Sequence, residues 1–124
     1  LVLSGAVERL PSGALVELAG LAASTLAPGG TVVVVSADPR AWARRASPVE
    51  VDLAPGRPFR SETWCHLLTG RGLKARVAAE QERPGGEGLR PVPGADAALA
   101  ANLEQLDSVL FPPPAYAVVA TLPE

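Results

Sequence analysis

Three charged side chains follow the first two apolar runs of this 124-residue chain. Glu8 and Arg9 come shortly after the first run, and Asp38 comes directly after the second. In open α/β sheets, ligands bind beyond the carboxyl ends of the parallel strands, so chemistry is expected at these positions. A carboxylate there can act as a general base. Trp42, on the loop after Asp38, adds an aromatic surface suited to ligand contact.

The alternative for each of these residues is structural. Glu8 and Arg9 also fit a solvated turn, and Asp38 followed by Pro39 also fits an ordinary loop without a functional role. Residue types at these positions leave both interpretations open.

Other catalytic motifs are missing from the sequence. No G-x-G-x-x-G follows a strand, and there is no G-x-x-x-x-G-K-[ST] loop or G-x-S-x-G elbow. The PGGEG segment at 84–88 lies in a proline-rich stretch, so we interpret it as a surface loop and not a phosphate cradle. With one cysteine and one histidine, a zinc site would need carboxylates for most of its ligands, and no metal site is expected.

Cys65 and His66 are adjacent in a segment with a helical pattern. Neighbours on a helix do not face each other, so a thiolate–imidazole pair is disfavoured. We expect Cys65 to behave as a small core hydrophobe and His66 to be a partly exposed helix residue.

The composition limits the class of protein. A hydrophobic fraction of 48% supports one domain, residues 1–124, with a single core. The net charge of −2 gives no reason to expect a nucleic acid or an anionic membrane as partner. The single cysteine and the absence of a basic signal region favour the cytoplasm. The chain opens inside an apolar run and contains no methionine, which favours a piece of a longer protein.

The first third of the chain predicts a strand, a helix and a second strand. LVLSG at 1–5 predicts a buried strand. Ser12 is expected to cap a helix that ends at Gly29 and Gly30. TVVVV at 31–35 does not alternate, which predicts a central strand buried on both faces.

The rest of the chain continues the alternation. Prolines from 39 to 58 exclude a long regular element, although RAWARRA at 40–46 fits a short helical turn. A helix capped by Ser61 with an inner face at Trp64, a strand at 73–80, an amphipathic helix at 95–111 and a last strand at 115–122 follow. The order β-α-β-α-β-α-β predicts a layered α/β sheet.

Three stretches resemble the second half of class I S-adenosylmethionine (SAM)-dependent methyltransferases. AVERLP and LAPGG are similar to the family's "vlEHLp" and "L-x-P-G-G" segments around strands four and five. The segment 52–73 resembles the family's "D-x-x-H-x-R-P-F-x-x-E-x-x-x-x-L-L-x-x-x-G-F" stretch. Its matching residues are Asp52, Arg57, Pro58, Phe59, Glu62, Leu67, Leu68 and Gly72. AYAVVATL resembles the closing strand.

The resemblance implies a partial Rossmann-like sheet with flanking helices, ordered 4-5-7-6 in the family's strand naming, with the last strand antiparallel. It also implies SAM as cofactor, although the family's main cofactor-binding strands would precede this chain. The expected roles are cofactor contact for Ser4 and Gly5, general base for Glu8 or Asp52, and acceptor contact for Arg9, Asp38, Trp42 and Arg57. The family's two histidines are Arg9 and Pro55 here, so no histidine role carries over.

The implied activity is methyl transfer to a small-molecule or sugar-like acceptor by the intact parent protein, with this fragment inactive alone. The alternative is a non-catalytic, methyltransferase-like association module. It would form a homodimer through the exposed edge of the strand at 1–5. A response-regulator-like domain is disfavoured, since that strand does not end in an acidic cluster.

Overall fold

The computed structural model describes residues 1–83 and 88–124 of the chain. At the centre of this part of the chain is a four-stranded mixed sheet. Its strands are β1 (Val2–Leu3), β2 (Thr31–Ala37), β3 (Lys74–Glu80) and β4 (Ala115–Thr121). They lie in the spatial order β1-β2-β4-β3, with β1 parallel to β2 and with β4 antiparallel to both β2 and β3. This confirms the α/β class and the strand order that the resemblance implied.

Within the described ranges, five α-helices and one 3₁₀ turn connect the strands. They are the turn Ala6–Glu8, α1 (Ser12–Thr25), α2 (Pro39–Arg45), α3 (Pro48–Leu53), α4 (Ser61–Thr69) and α5 (Ala97–Leu110). The prediction of a short helical turn after the second strand is confirmed by α2. The helix α3 was missed, although its start carries a capping box in which Ser47 and Glu50 satisfy each other's backbone N–H.

The predicted caps of two helices are wrong. Pro11 and Arg60 occupy the N-cap positions of α1 and α4, because each has the extended backbone that a cap requires. Ser12 and Ser61 are instead the first helical residues, and neither helix has a side-chain cap hydrogen bond.

The core forms between one face of the sheet and the helices α1 and α4. Leu15 of α1 and Trp64 and Leu68 of α4 are fully buried against Val34 and Val118 of the two central strands. Burial of this apolar surface supplies the main stabilisation of the fold.

The prediction that β2 is buried on both faces is wrong for this chain. Burial alternates along the strand: Val32 and Val34 are fully buried, whereas Val35 is 41% exposed. The reason is that α1 and α4 pack on one face, while α5, described along its whole length, contributes no buried residue. The helix predicted at 95–111 is confirmed, but of its leucine stripe only Leu103 is half-buried.

The first strand is also less buried than predicted. Val2 is 65% exposed, because β1 lies at the edge of the sheet and pairs only with β2 among the described strands. Residues 84–87 of the segment interpreted as a glycine-rich surface loop lie outside the described residues.

Candidate functional site

The ends of β1 and β2 bring the first predicted site residues together. Because these strands are parallel, their carboxyl ends meet at one edge of the sheet. The chain turns after β1 at Gly5, whose φ of +74° favours glycine. The turn carries Glu8 to the end of β2, where its Oε1 accepts a hydrogen bond from the backbone N–H of Ala37 at 2.8 Å.

A cavity of about 620 Å³ opens beside this hydrogen bond, and we call it the tryptophan cleft. Its wall includes Glu8, Arg9 and Trp42, three of the residues that the sequence singled out. The helix α3 contributes Glu50 and Leu53 to the lining. The volume is in the range of small-molecule sites, and the lining combines an aromatic ring with both signs of charge.

A second cavity of about 740 Å³ lies next to it, and we call it the arginine cleft. Three arginines line it, Arg40, Arg57 and Arg60. The sequence singled out only Arg57 among these. Ser12 at the start of α1, Thr63 in the first turn of α4 and the Pro58–Phe59 segment also line the cleft.

Gly56 is shared by the two clefts and holds their common wall in place. A Cβ at this position would lie 1.9 Å from the backbone oxygen of Leu10, so only glycine allows the 55–56 segment to approach the start of α1 this closely. The clefts therefore depend on a backbone contact between two loops that are 46 residues apart in the chain.

Asp38 is the N-cap residue of α2. It is 7% exposed, and its carboxylate accepts hydrogen bonds from the backbone N–H and from the Nε and Nη2 atoms of Arg40, at 2.9, 3.1 and 3.0 Å. Burial by itself raises the pKa of Asp38, but the hydrogen bonds and the charge of Arg40 outweigh it and hold that pKa below its usual value. Asp38 is bonded to Arg40, which lines the arginine cleft, but Asp38 itself is not among the residues that line the two clefts.

The other predicted residues are spread along the same edge. Ser4 and Gly5 are exposed at the end of β1, and no heavy atom lies within 4 Å of where a Cβ of Gly5 would stand. Asp52 is exposed on α3 and is not among the residues that line either cleft. Glu8, Arg9 and Trp42 thus share one cleft, Arg57 lines the neighbouring one, and Asp52 stands apart from both.

Tyr116 anchors the segment beside the arginine cleft. Its hydroxyl donates a hydrogen bond to the backbone oxygen of Phe59 at 2.5 Å. Burial raises the pKa of Tyr116 to about 12, so the hydroxyl stays protonated and keeps donating at neutral pH. The ring of Phe59 packs against Trp64 with 5.7 Å between the ring centroids, which ties the segment to the core.

Sequence reasoning missed Arg40, Arg60 and Gly56. The sequence signal for Gly56 is its place between Pro55 and Pro58 in the stretch that resembles the methyltransferase pattern. Nothing in the sequence distinguishes Arg40 and Arg60 from other surface arginines, since their convergence depends on how α2 docks against the 55–60 segment.

Cys65 and His66 take the places expected of helix residues. Cys65 is half-buried against the core, and His66 is exposed. Burial and the negative charge of Glu62 raise the pKa of the Cys65 thiol, which disfavours a reactive thiolate.

Within the described residues, no group of three or more acidic, histidine or cysteine side chains is placed to hold a metal ion. None of the helices in residues 1–83 and 88–124 is long and apolar enough to cross a bilayer.

The fold is similar to that of a known enzyme. No family model and no curated protein matches the sequence. Among solved structures, the chain matches a SAM-dependent methyltransferase from Archaeoglobus fulgidus with a TM-score of 0.68 and 23% identity. The match covers 97% of this chain and 57% of the other, so the chain spans little more than half the length of that enzyme. This likeness shows that the chain has a methyltransferase-like fold.

Proposed function

We propose that this chain is the C-terminal part of a SAM-dependent methyltransferase that transfers a methyl group to a small-molecule or sugar-like acceptor. The observation that carries the proposal is the match of nearly the whole chain to 57% of a methyltransferase of known structure. The two clefts at the carboxyl edge of β1 and β2 support it, since ligands of open α/β sheets bind at that edge.

The residues at this edge fit the acceptor side of such a site. Bound SAM would supply an electrophilic methyl group, and the task of the protein is to hold the acceptor atom in line with it. Ser4 and Gly5 offer exposed backbone beside open space, which fits contact with the cofactor from one side. Most of the cofactor site would lie in residues that precede this chain.

Within the tryptophan cleft, three lining residues have separate tasks in this proposal. Trp42 offers an aromatic surface on which an acceptor can lie, and Arg9 offers hydrogen-bond donors. Glu8 would accept a proton from an acceptor that must be deprotonated before it attacks. Asp52 is the weaker candidate for the base, because it lies outside both clefts.

The test is SAM binding and methyl transfer by the parent protein and by this chain side by side. We expect the parent to bind SAM in calorimetry and to methylate an acceptor, and we expect the isolated chain to do neither. Tight SAM binding by these 124 residues would contradict the fragment part of the proposal. A folded parent that binds no SAM would contradict the function itself. A cytoplasmic location stays a prediction, based on the single cysteine.

The second candidate function is a non-catalytic association module. The observation that favours it is the edge strand β1, where Leu1 and Val2 are 55% and 65% exposed. An exposed apolar edge of this type pairs readily with another strand, and the proposed partner is a second copy of this chain. Sedimentation should then show a dimer that Val2→Lys disrupts and that Val49→Lys, at an equally exposed site on α3, leaves intact. A strictly monomeric chain would exclude this candidate, and a glycine-rich loop upstream would favour the enzyme.

A further inference from the structure

We propose that the arginine cleft binds an oxyanion, so that the acceptor of the methyl group is an acidic small molecule carrying a carboxylate or a phosphate. The identification of this ligand as the acceptor rests on the proposed function. The anion site itself rests only on the cleft, and the experiment below measures it without SAM.

The charge of the cleft is the first argument. Within the described residues, the side chains of Arg57 and Arg60 make no hydrogen bond or ion pair, whereas the Arg40 side chain is neutralised by Asp38 at 3.0 Å. Two arginines without a charged partner therefore line one cavity in a chain whose net charge is −2. The carboxylates of Glu62 and Glu80 act on Arg40, and neither residue lines the cleft. Guanidinium groups bind carboxylates and phosphates with strong, charge-assisted hydrogen bonds.

The backbone that carries these two arginines is held rigidly, which is the second argument. Arg57 and Arg60 flank Pro58, which is fully buried, and Phe59, whose backbone oxygen is bound by Tyr116. Gly56, on the other side of Arg57, is pressed against the backbone of Leu10. Both arginines thus extend from fixed positions, and a ligand between them does not have to order a loose loop.

The rest of the lining suits an anion of small-molecule size. The volume of about 740 Å³ is that of a small-molecule pocket. Ser12 and Thr63, in the first turns of α1 and α4, also line the cleft, and neither helix has a side-chain cap to occupy its first N–H groups. These groups add partial positive charge to a site that the arginines define.

The experiment is a titration of the ¹⁵N-labelled chain, without SAM, with inorganic phosphate and separately with acetate. Sodium chloride keeps the ionic strength constant, so that general screening does not mimic binding. We expect saturable shifts at the Nε–H signals of Arg57 and Arg60. Each of Arg57→Gln and Arg60→Gln should weaken the affinity about threefold to tenfold, the lower part of the usual range because the cleft is open to water. Arg76→Gln, an exposed position on β3 outside the cleft, is the matched control and should leave the affinity unchanged.

The outcomes separate the proposals. Stronger binding of phosphate than of acetate indicates a phosphorylated acceptor, and the reverse indicates a carboxylic acid. Shifts that do not saturate, that are equal at Arg76, or that persist in the folded double variant Arg57→Gln/Arg60→Gln would overturn the anion site. Anion binding in a chain whose parent transfers no methyl group would overturn the proposed function and leave the anion site standing.

Discussion

The carboxylate of Glu8 and the backbone N–H of Ala37 are joined by a hydrogen bond of 2.8 Å between residues 29 positions apart. The bond ties the turn after β1 to the last residue of β2, at the edge of the sheet where the tryptophan cleft lies. It uses Oε1, and within residues 1–83 and 88–124 the other carboxylate oxygen has no hydrogen-bond partner. Glu8 can therefore hold the edge and still present an oxygen to the tryptophan cleft.

We predict that Glu8→Ala lowers the free energy of unfolding by about 1–2 kcal/mol, because it leaves the Ala37 N–H without its charged partner. Glu8→Gln keeps an oxygen acceptor and should cost less than half as much. Urea unfolding of both variants measures the difference. In the parent protein, loss of methyl transfer in the stable Glu8→Gln variant would identify a base. Retained transfer would leave Glu8 with only its structural role.

We predict that Gly56→Ala destabilises the chain by about 1–3 kcal/mol, since a Cβ placed 1.9 Å from the Leu10 backbone oxygen forces the two loops apart. Gly13→Ala is the matched control, because that position in α1 has nothing within 4 Å and alanine favours a helix. Thermal unfolding should therefore show a lower midpoint for Gly56→Ala and an equal or higher one for Gly13→Ala. Equal stability of the two variants would contradict the described loop contact.

We predict that Asp38 makes the free energy of unfolding depend on pH in the acidic range. Its pKa is lowered in the folded state, so its ionised form stabilises the fold above the unfolded pKa of about 4, and this contribution is lost as the pH falls through the folded value. Asp38→Asn keeps a cap acceptor but loses the charge. We expect the variant to be less stable than wild type at pH 7 and the gap to shrink below about pH 4, as measured by urea unfolding at both pH values. A gap independent of pH would argue against the ion pair with Arg40.

We predict that Tyr116 makes the free energy of unfolding depend on pH in the alkaline range. Its pKa is raised to about 12, so folding favours the protonated hydroxyl, and stability is lost as the pH rises above the unfolded pKa of about 10. Tyr116→Phe removes this dependence and the hydrogen bond to Phe59, at a cost of about 1 kcal/mol at neutral pH. Unfolding measured from pH 8 to 11 should show a smaller loss of stability for the variant than for wild type. An ultraviolet titration giving an ordinary tyrosine pKa would rule out the described burial.

The course of the chain was predictable from local pattern. The run TVVVV at 31–35 marks the strand β2. The helix end predicted at Gly29 and Gly30 is wrong, because α1 already ends at Thr25 and these glycines lie at the turn before β2. The strand order, by contrast, followed from the resemblance, and the match to a methyltransferase structure agrees with it. Cap positions were missed by one residue in α1 and α4, since a proline and an arginine with extended backbone took places that serine usually fills.

By itself the sequence determined the alternation of strands and helices except for α3, the inner face of α4 around Trp64 and the placing of charged residues after the first two strands. Only the tertiary structure decided which of them meet. It joined Glu8 to Ala37, turned Asp38 towards Arg40 and brought Arg40, Arg57 and Arg60 around one cavity. The physical reason is that such contacts depend on how loops dock onto the sheet. That docking is set by close packing, such as the fit of Gly56 against Leu10, which no local periodicity encodes.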